Sequence, residues 1–181
     1  PGSGKGTQCA AIKAKLGCEH ISTGNCLREV VEKQERENWQ EIAETMNGGG
    51  LVSSADIVAI LKDKLETLKG KIVLVDGFPR NKENLDEWTN QNLKEFCCTI
   101  GTLYFECPEE TMKERCLGRN EGRADDNEEA FKKRIETFVS VTKPVIEKLD
   151  NLMTIDANST DVDSITAEVF KKLEEKGLKA N

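Results

Sequence analysis

Apolar residues are set along this chain in two patterns. In KGTQCAAIKAKL (5–16) they recur at helical spacing, whereas KIVLVD (71–76), TLYFEC (102–107) and LMTIDA (152–157) are compact apolar runs. The first pattern predicts a helix. The three runs predict buried strands, the second of them rich in β-branched and aromatic residues. Helical sequence at 82–95, 109–118, 126–150 and 161–176 separates them. Strands that alternate with helices of this length predict an α/β protein with a parallel sheet flanked by helices. Residues 22–47 differ: they are charged and helix-favouring with few apolar anchors, until Gly48, Gly49 and Gly50 interrupt. SSADIVAILKDKLETL then resumes as a helix capped by Ser53 or Ser54. This reads as a helical insert on hinges.

With 181 residues, the chain suits one compact domain. Its 26 Lys+Arg against 33 Asp+Glu give a formal net charge of −7, which argues against a sequence-independent grip on nucleic acid or an anionic membrane. Any phosphate is therefore held locally. No apolar run approaches the roughly 18 residues needed to span a bilayer. Cysteines stand at 9, 18, 26, 97, 98, 107 and 116, irregularly spaced, with a single histidine, His20. That pattern predicts reduced thiols rather than disulfides or a zinc site, and hence a soluble, cytoplasmic protein.

Ahead of the first helix, PGSGKGTQ (1–8) carries glycines where a backbone must wrap an anion. The N–H groups around Gly2, Ser3, Gly4 and Gly6 can form an anion nest, and the helix that follows adds its positive end. Lys5 then reaches the outer phosphates, and the Thr7 hydroxyl suits Mg²⁺. A loop that merely turns the chain would need neither residue. The P-loop pattern G-x-x-x-x-G-K, followed by Ser or Thr, puts its first glycine two positions before Pro1. About ten further N-terminal residues, including a strand and that glycine, are therefore expected.

A second constellation is VDGFPR (75–80), an acid closing an apolar strand. Asp76 would orient Mg²⁺ through water, Gly77 permits close backbone approach, and Pro79 stiffens the loop that presents the Arg80 fork. Alone, Asp-Gly is a turn and Arg80 a solvated side chain; beside a phosphate loop they read as one site. A third lies in RNEGRADDNEEAFKKR, where Arg119, Arg123 and Arg134 recur. Converging arginines suit a phosphoryl group whose charge is being redistributed, although a helix laced with pairs such as Glu129 and Lys133 accounts for part of the pattern.

Together P-G-S-G-K-G-T-Q, H-I-S-T-G-N-C-L-R, D-G-F-P-R and G-R-A-D-D-N-E-E resemble the nucleoside monophosphate kinase family, in order and spacing, over almost the whole chain. The resemblance implies flavodoxin-like layering of a P-loop kinase, with core segments 1–19, 53–117 and 126–181, a monophosphate-binding insert at 20–52 and a short lid at 118–125. It implies phosphoryl transfer from ATP, with Mg²⁺ as cofactor, to a small nucleotide, by a monomer. Gly2 to Thr7 match the ATP phosphate cradle. Arg28 and Arg80 match the arginines on the acceptor phosphate, and Thr23, Val52, Gly77 and Asn84 complete the acceptor site. Arg119 matches the residue near the adenine of ATP, Arg123 and Arg134 the pair that brackets the transferring group, and Asp125 and Asp126 the lid-hinge acids.

The acceptor base divides the signals. Asn84, with Asn81 and Trp88 around it, resembles the UMP/CMP-type members, whereas Thr23 resembles the adenylate-kinase choice. Asn84 is given more weight, because a group that hydrogen-bonds a base edge discriminates more strongly than a methyl or hydroxyl. UMP or CMP is the expected acceptor, with AMP as the alternative. Asn25 replaces the family's usual acid and Trp39 stands where small residues are common; altered affinity is expected from both. A noncatalytic nucleotide-binding protein is the reading from another class.

Overall fold

The computed structural model describes residues 1–95, 97–118 and 127–179. From the glycine loop, α1 (Lys5–Leu16) leads to β1 (Glu19–Ser22), then α2 (Thr23–Lys33) and α3 (Trp39–Asn47). The chain returns through α4 (Ser54–Glu66) to β2 (Val73–Asp76), and α5 (Lys82–Asn90) precedes β3 (Thr102–Glu106). There follow α6 (Glu109–Leu117), α7 (Glu128–Thr137), α8 (Lys143–Ile146), β4 (Leu152–Asp156) and α9 (Val162–Glu175).

The strands pair in parallel, as the alternating runs predict. β1 lies beside β2 with Glu19 opposite Val73 and Ser22 opposite Asp76; β3 lies beside β4 with Thr102 opposite Leu152 and Glu106 opposite Asp156. Among the described residues the ladders form two pairs rather than one continuous sheet. Hydrogen bonding stops at the β2 and β3 edges while apolar contact continues, since Leu74 of β2 packs with the cluster built on β3 and β4.

Burial explains why these segments hold. One cluster gathers Ile21, Leu27, Val30, Ile42, Ile57, Val58 and Leu61, uniting α2, α3 and α4 beneath the first strand pair. A second joins Ile12 of α1 to Phe105, Ile155, Val169 and Phe170, and a third seats α6 on α7 through Met112, Cys116, Phe131 and Ile135. Helix starts are set by side-chain caps: Ser22, Ser53, Asn81, Asn127 and Asp161 each accept a backbone N–H of the first turn. Such a cap is worth about 1 kcal/mol.

Three elements differ from the sequence expectation, each for a physical reason. β1 is not predicted at all. It is four residues long and only Ile21 is fully buried, so EHIS carries almost no apolar signal. Residues 20–22, expected to open the insert, therefore lie in the sheet. The helix expected at 82–95 ends at Asn90, because Asn92 turns left-handed with φ 56° before a short 3₁₀ turn. The helix expected at 126–150 is broken into α7, a π-helical stretch at Phe138–Thr142 and α8, with Pro144 just inside α8. Proline has no N–H to continue the α ladder, and the Lys143 N–H reaches back five residues to the Phe138 carbonyl.

Candidate active site

The glycine loop meets α1 through Gly4, which is left-handed at φ 83° and offers no side chain as a cap. No acid occupies the first turn of α1, so its positive end is not internally neutralised. Gly2 is also left-handed, at φ 69°, and a Cβ there would stand 2.2 Å from the Met112 carbonyl oxygen. Glycine is thus required for the loop to lie against α6. The Lys5 Nζ points back to the Ser3 hydroxyl at 3.5 Å.

Lys5 lies in a cationic setting. Desolvation lowers its pKa first, Arg80 and Arg134 lower it further, and Asp76 opposes them. Among the described residues, one carboxylate therefore stands with three cations, drawn from the loop, the segment after β2 and α7. Such a surplus matches the negative charge of phosphate groups. It lies where open α/β sheets place ligands, at the carboxyl end of a strand. Asp76 ends β2 as predicted, and its oxygen Oδ2 is 3.8 Å from His20 Nε2.

The segment after Asp76 is tightly built around glycine. Gly77 has φ 81°, and a Cβ there would stand 2.8 Å from Thr23 Oγ1 and 2.9 Å from an Arg80 guanidinium nitrogen. Thr23 is buried and donates its hydroxyl to the carbonyl of Asp76 at 3.0 Å. The Arg80 Nε donates to the Gly77 carbonyl at 2.8 Å, which orients the guanidinium. Phe78 rests on Trp88, ring centroids 5.4 Å apart. Gly77→Ala is expected to cost about 1–2 kcal/mol from the left-handed backbone and to displace Arg80. A thermal melt together with the acceptor KM checks this: both should worsen, and a wild-type KM would show that Arg80 tolerates the shift.

Asn84 is 1% exposed, and its carboxamide is engaged on both sides. Oδ1 accepts the Arg80 backbone N–H at 2.9 Å, and Nδ2 donates to Ser54 Oγ at 2.8 Å. Ser54 in turn donates to Asn81 Oδ1, which also accepts the Asn84 N–H. Sequence reasoning treated Ser54 only as a helix cap and missed this link between α4 and α5. No spacing rule would have found it. Val52 is buried in the first cluster, so a ligand nearby would meet its main chain. The Arg28 guanidinium donates to Asn25 Oδ1 and lies 3.3 Å from where a Gly24 Cβ would be. Asn25, substituting for an acid, thus still holds Arg28 in place. Gly49 touches α7, where its Cβ position is 3.3 Å from Arg134 Cγ. Arg119, Arg123, Asp125 and Asp126, with all of 119–125 of the expected lid, lie outside the described residues.

A glycine cradle, a lysine at its rim, an acid closing the neighbouring strand and arginines around both define a phosphate-handling P-loop protein of the α/β class. Comparison with known proteins narrows this. The sequence model of the family described as adenylate kinase matches residues 1–153. The UMP-CMP kinase of Mus musculus is 37% identical over 188 residues, covering 98% of this chain and 94% of the relative. That of Homo sapiens is 36% identical with the same coverage, and UMP-CMP kinase 3 of Oryza sativa subsp. japonica is 42% identical over 147 residues, 81% of this chain and 68% of the relative. This chain belongs to the adenylate kinase family.

Proposed function

We propose that the chain transfers the γ-phosphoryl group of ATP to UMP or CMP, giving ADP with UDP or CDP. The observation that carries this reading is the meeting of Asp76, Arg80 and Arg134 around Lys5, in a chain whose relatives include UMP-CMP kinases. The N–H groups of residues 2–6 cradle the donor phosphates, and Lys5 draws their charge towards the acceptor. Arg28 and Arg80 hold the acceptor phosphate, and Arg134, with Arg119 and Arg123, surrounds the group in flight. No covalent intermediate is needed: alignment, exclusion of water and charge stabilisation suffice. We read residues 118–125 as a short lid over this site, and the enzyme as a cytoplasmic monomer. Among the described residues no helix is long and apolar enough to cross a membrane.

Mg²⁺ would be held by hard oxygen donors, the Thr7 hydroxyl, exposed in the first turn of α1, and the Asp76 carboxylate through water, since Mg²⁺ prefers oxygen ligands and keeps several waters. Bound there, it would neutralise the charge that builds on the donor phosphates.

Thr23, the one residue that favours AMP, has a structural duty in the hydrogen bonds to Asp76 and Gly77. Its presence therefore counts less for an adenine acceptor. Protein given MgATP with CMP, UMP, dCMP and AMP in parallel is expected to use CMP or UMP at least tenfold better than AMP, about 1.4 kcal/mol in transition-state terms. The reverse preference would make this an adenylate kinase, and ATP binding without turnover of any monophosphate would leave the noncatalytic reading. Asn84→Gln is expected to move preference towards AMP if the amide reads the base. If it serves only to seat Arg80, all four acceptors lose activity together.

A further inference from the structure

Behind the phosphate loop, on the side of α1 that faces the first strand pair, three side chains of different chemistry converge. Cys9 Sγ, a His20 ring nitrogen and an Asp76 carboxylate oxygen all lie within 4.8 Å of one another. Cys9 is buried, and His20 and Asp76 are half-buried. His20 Nε2 is itself shut off from solvent and makes no hydrogen bond among the described residues, although it lies 3.8 Å from Asp76 Oδ2. A buried ring nitrogen without a partner is costly unless something occupies its lone pair or takes its proton. Here its near neighbours are a thiol sulfur and a carboxylate oxygen, all three atoms within 4.8 Å of one another.

We infer that Cys9 Sγ, His20 Nε2 and the Asp76 carboxylate bind one thiophilic divalent ion of the zinc class. Sulfur, imidazole and carboxylate are the ligands such ions select, whereas Mg²⁺ disfavours the first two. Zinc-to-ligand distances of about 2.0–2.3 Å in a tetrahedron put ligand atoms roughly 3.3–3.6 Å apart. The His20–Asp76 separation is already close to this, and the Cys9 rotamer supplies the remaining movement. Three protein ligands leave a fourth position for water. On binding, the Cys9 thiol loses its proton to solvent as the sulfur–metal bond forms. The nearby Lys5 charge repels a second cation, so affinity is moderate rather than that of a structural zinc site. Cys18, which also lies near Cys9, is the thiol that a test must distinguish.

The ion would take the acid that the proposed mechanism assigns to Mg²⁺. Zinc-class ions are therefore expected to inhibit phosphoryl transfer, a consequence that rests on the proposed function, whereas the site itself does not. The full chain, with its thiols reduced, is titrated with Co²⁺ alone and followed by absorption. One equivalent should produce a thiolate-to-cobalt charge-transfer band in the near ultraviolet, which Zn²⁺ then bleaches by displacement. Cys9→Ser and Cys9→Ala should abolish the band, and His20→Asn should weaken Co²⁺ binding at least tenfold. Circular dichroism reports whether each variant is folded, and the wild-type band needs no variant. No band in the wild type, a band that survives in a folded Cys9 variant, or unchanged affinity in His20→Asn overturns the site. With MgATP and the accepted monophosphate, Zn²⁺ should slow the wild type and leave Cys9→Ser at least tenfold less sensitive. If the band behaves as expected but no monophosphate is turned over, the proposed function fails and the metal site stands.

Discussion

Lys5→Met is expected to lower kcat/KM by about a thousandfold while leaving the protein folded, with a melting temperature at or above that of the wild type. The catalytic loss follows from position. Lys5 opens α1 at the rim of the glycine loop, where it is the only side-chain cation of the loop, and removing one aimed donor of transition-state charge costs on the order of 10²–10³ or more. The stability gain follows from its surroundings. Desolvation, then Arg80 and Arg134, pull the Lys5 pKa below its ordinary 10.5 in the folded protein. The unfolded chain therefore binds that proton more tightly, and folding is disfavoured while Lys5 is charged. Stability contributed by this site rises with pH between the lowered value and 10.5, and at neutral pH the charged lysine is a liability. Methionine keeps much of the stem and removes the charge. Steady-state kinetics beside a thermal melt at two pH values tests both halves. Near-normal turnover would remove Lys5 from the site, and a large fall in melting temperature would show that its charge is structurally satisfied. Function held at the expense of stability is common at active sites.

How much of this was legible in the sequence depends on how much chemistry is local. The phosphate loop, the acid after KIVLV and the arginine after a Gly-Phe-Pro turn are each written within a few residues, and the structure brings Asp76 and Arg80 into electrostatic reach of Lys5. Arg134 is farther along the chain, yet it joins them because α7 packs through Phe131 and Ile135 onto α6. What the sequence hid depends on register. β1 pairs with β2 so that Ser22 faces Asp76, which delivers Thr23 to the carbonyls of Asp76 and Gly77. No local pattern announces that pairing, because EHIS has one buried apolar residue. His20 was counted as a lone histidine for the same reason: its neighbours Cys9 and Asp76 come from α1 and β2. The Ser54–Asn84 bond likewise joins two helices 30 positions apart. Asn84 read as a base-facing amide because its spacing from Arg80 is what the sequence displays, whereas its bonds to Arg80 and Ser54 depend on how α4 meets α5.

Arg80→Ala is expected to reduce kcat/KM for the monophosphate by about a thousandfold, with a raised acceptor KM and an ATP KM changed far less. The guanidinium is held before any ligand arrives. Its Nε donates to the Gly77 carbonyl at 2.8 Å, and the backbone N–H of the same residue is fixed by Asn84 Oδ1 at 2.9 Å. A planar fork oriented in this way meets phosphate oxygens in pairs, at little entropic cost on binding. Arg80→Lys retains the charge but loses the fork and the Nε bond, so it should recover less than a tenth of the lost activity. Asn84→Ala separates position from charge: Arg80 remains, but its backbone anchor and the bond to Ser54 are gone. That variant should raise the acceptor KM roughly tenfold, as expected for loss of a hydrogen bond to a positioning residue. Acceptor and donor KM measured for the three variants decide the matter. If Arg80→Lys matches the wild type, charge alone does the work; if Arg80→Ala raises the ATP KM as steeply as the acceptor KM, Arg80 belongs to the donor side and its assignment to the acceptor phosphate is wrong.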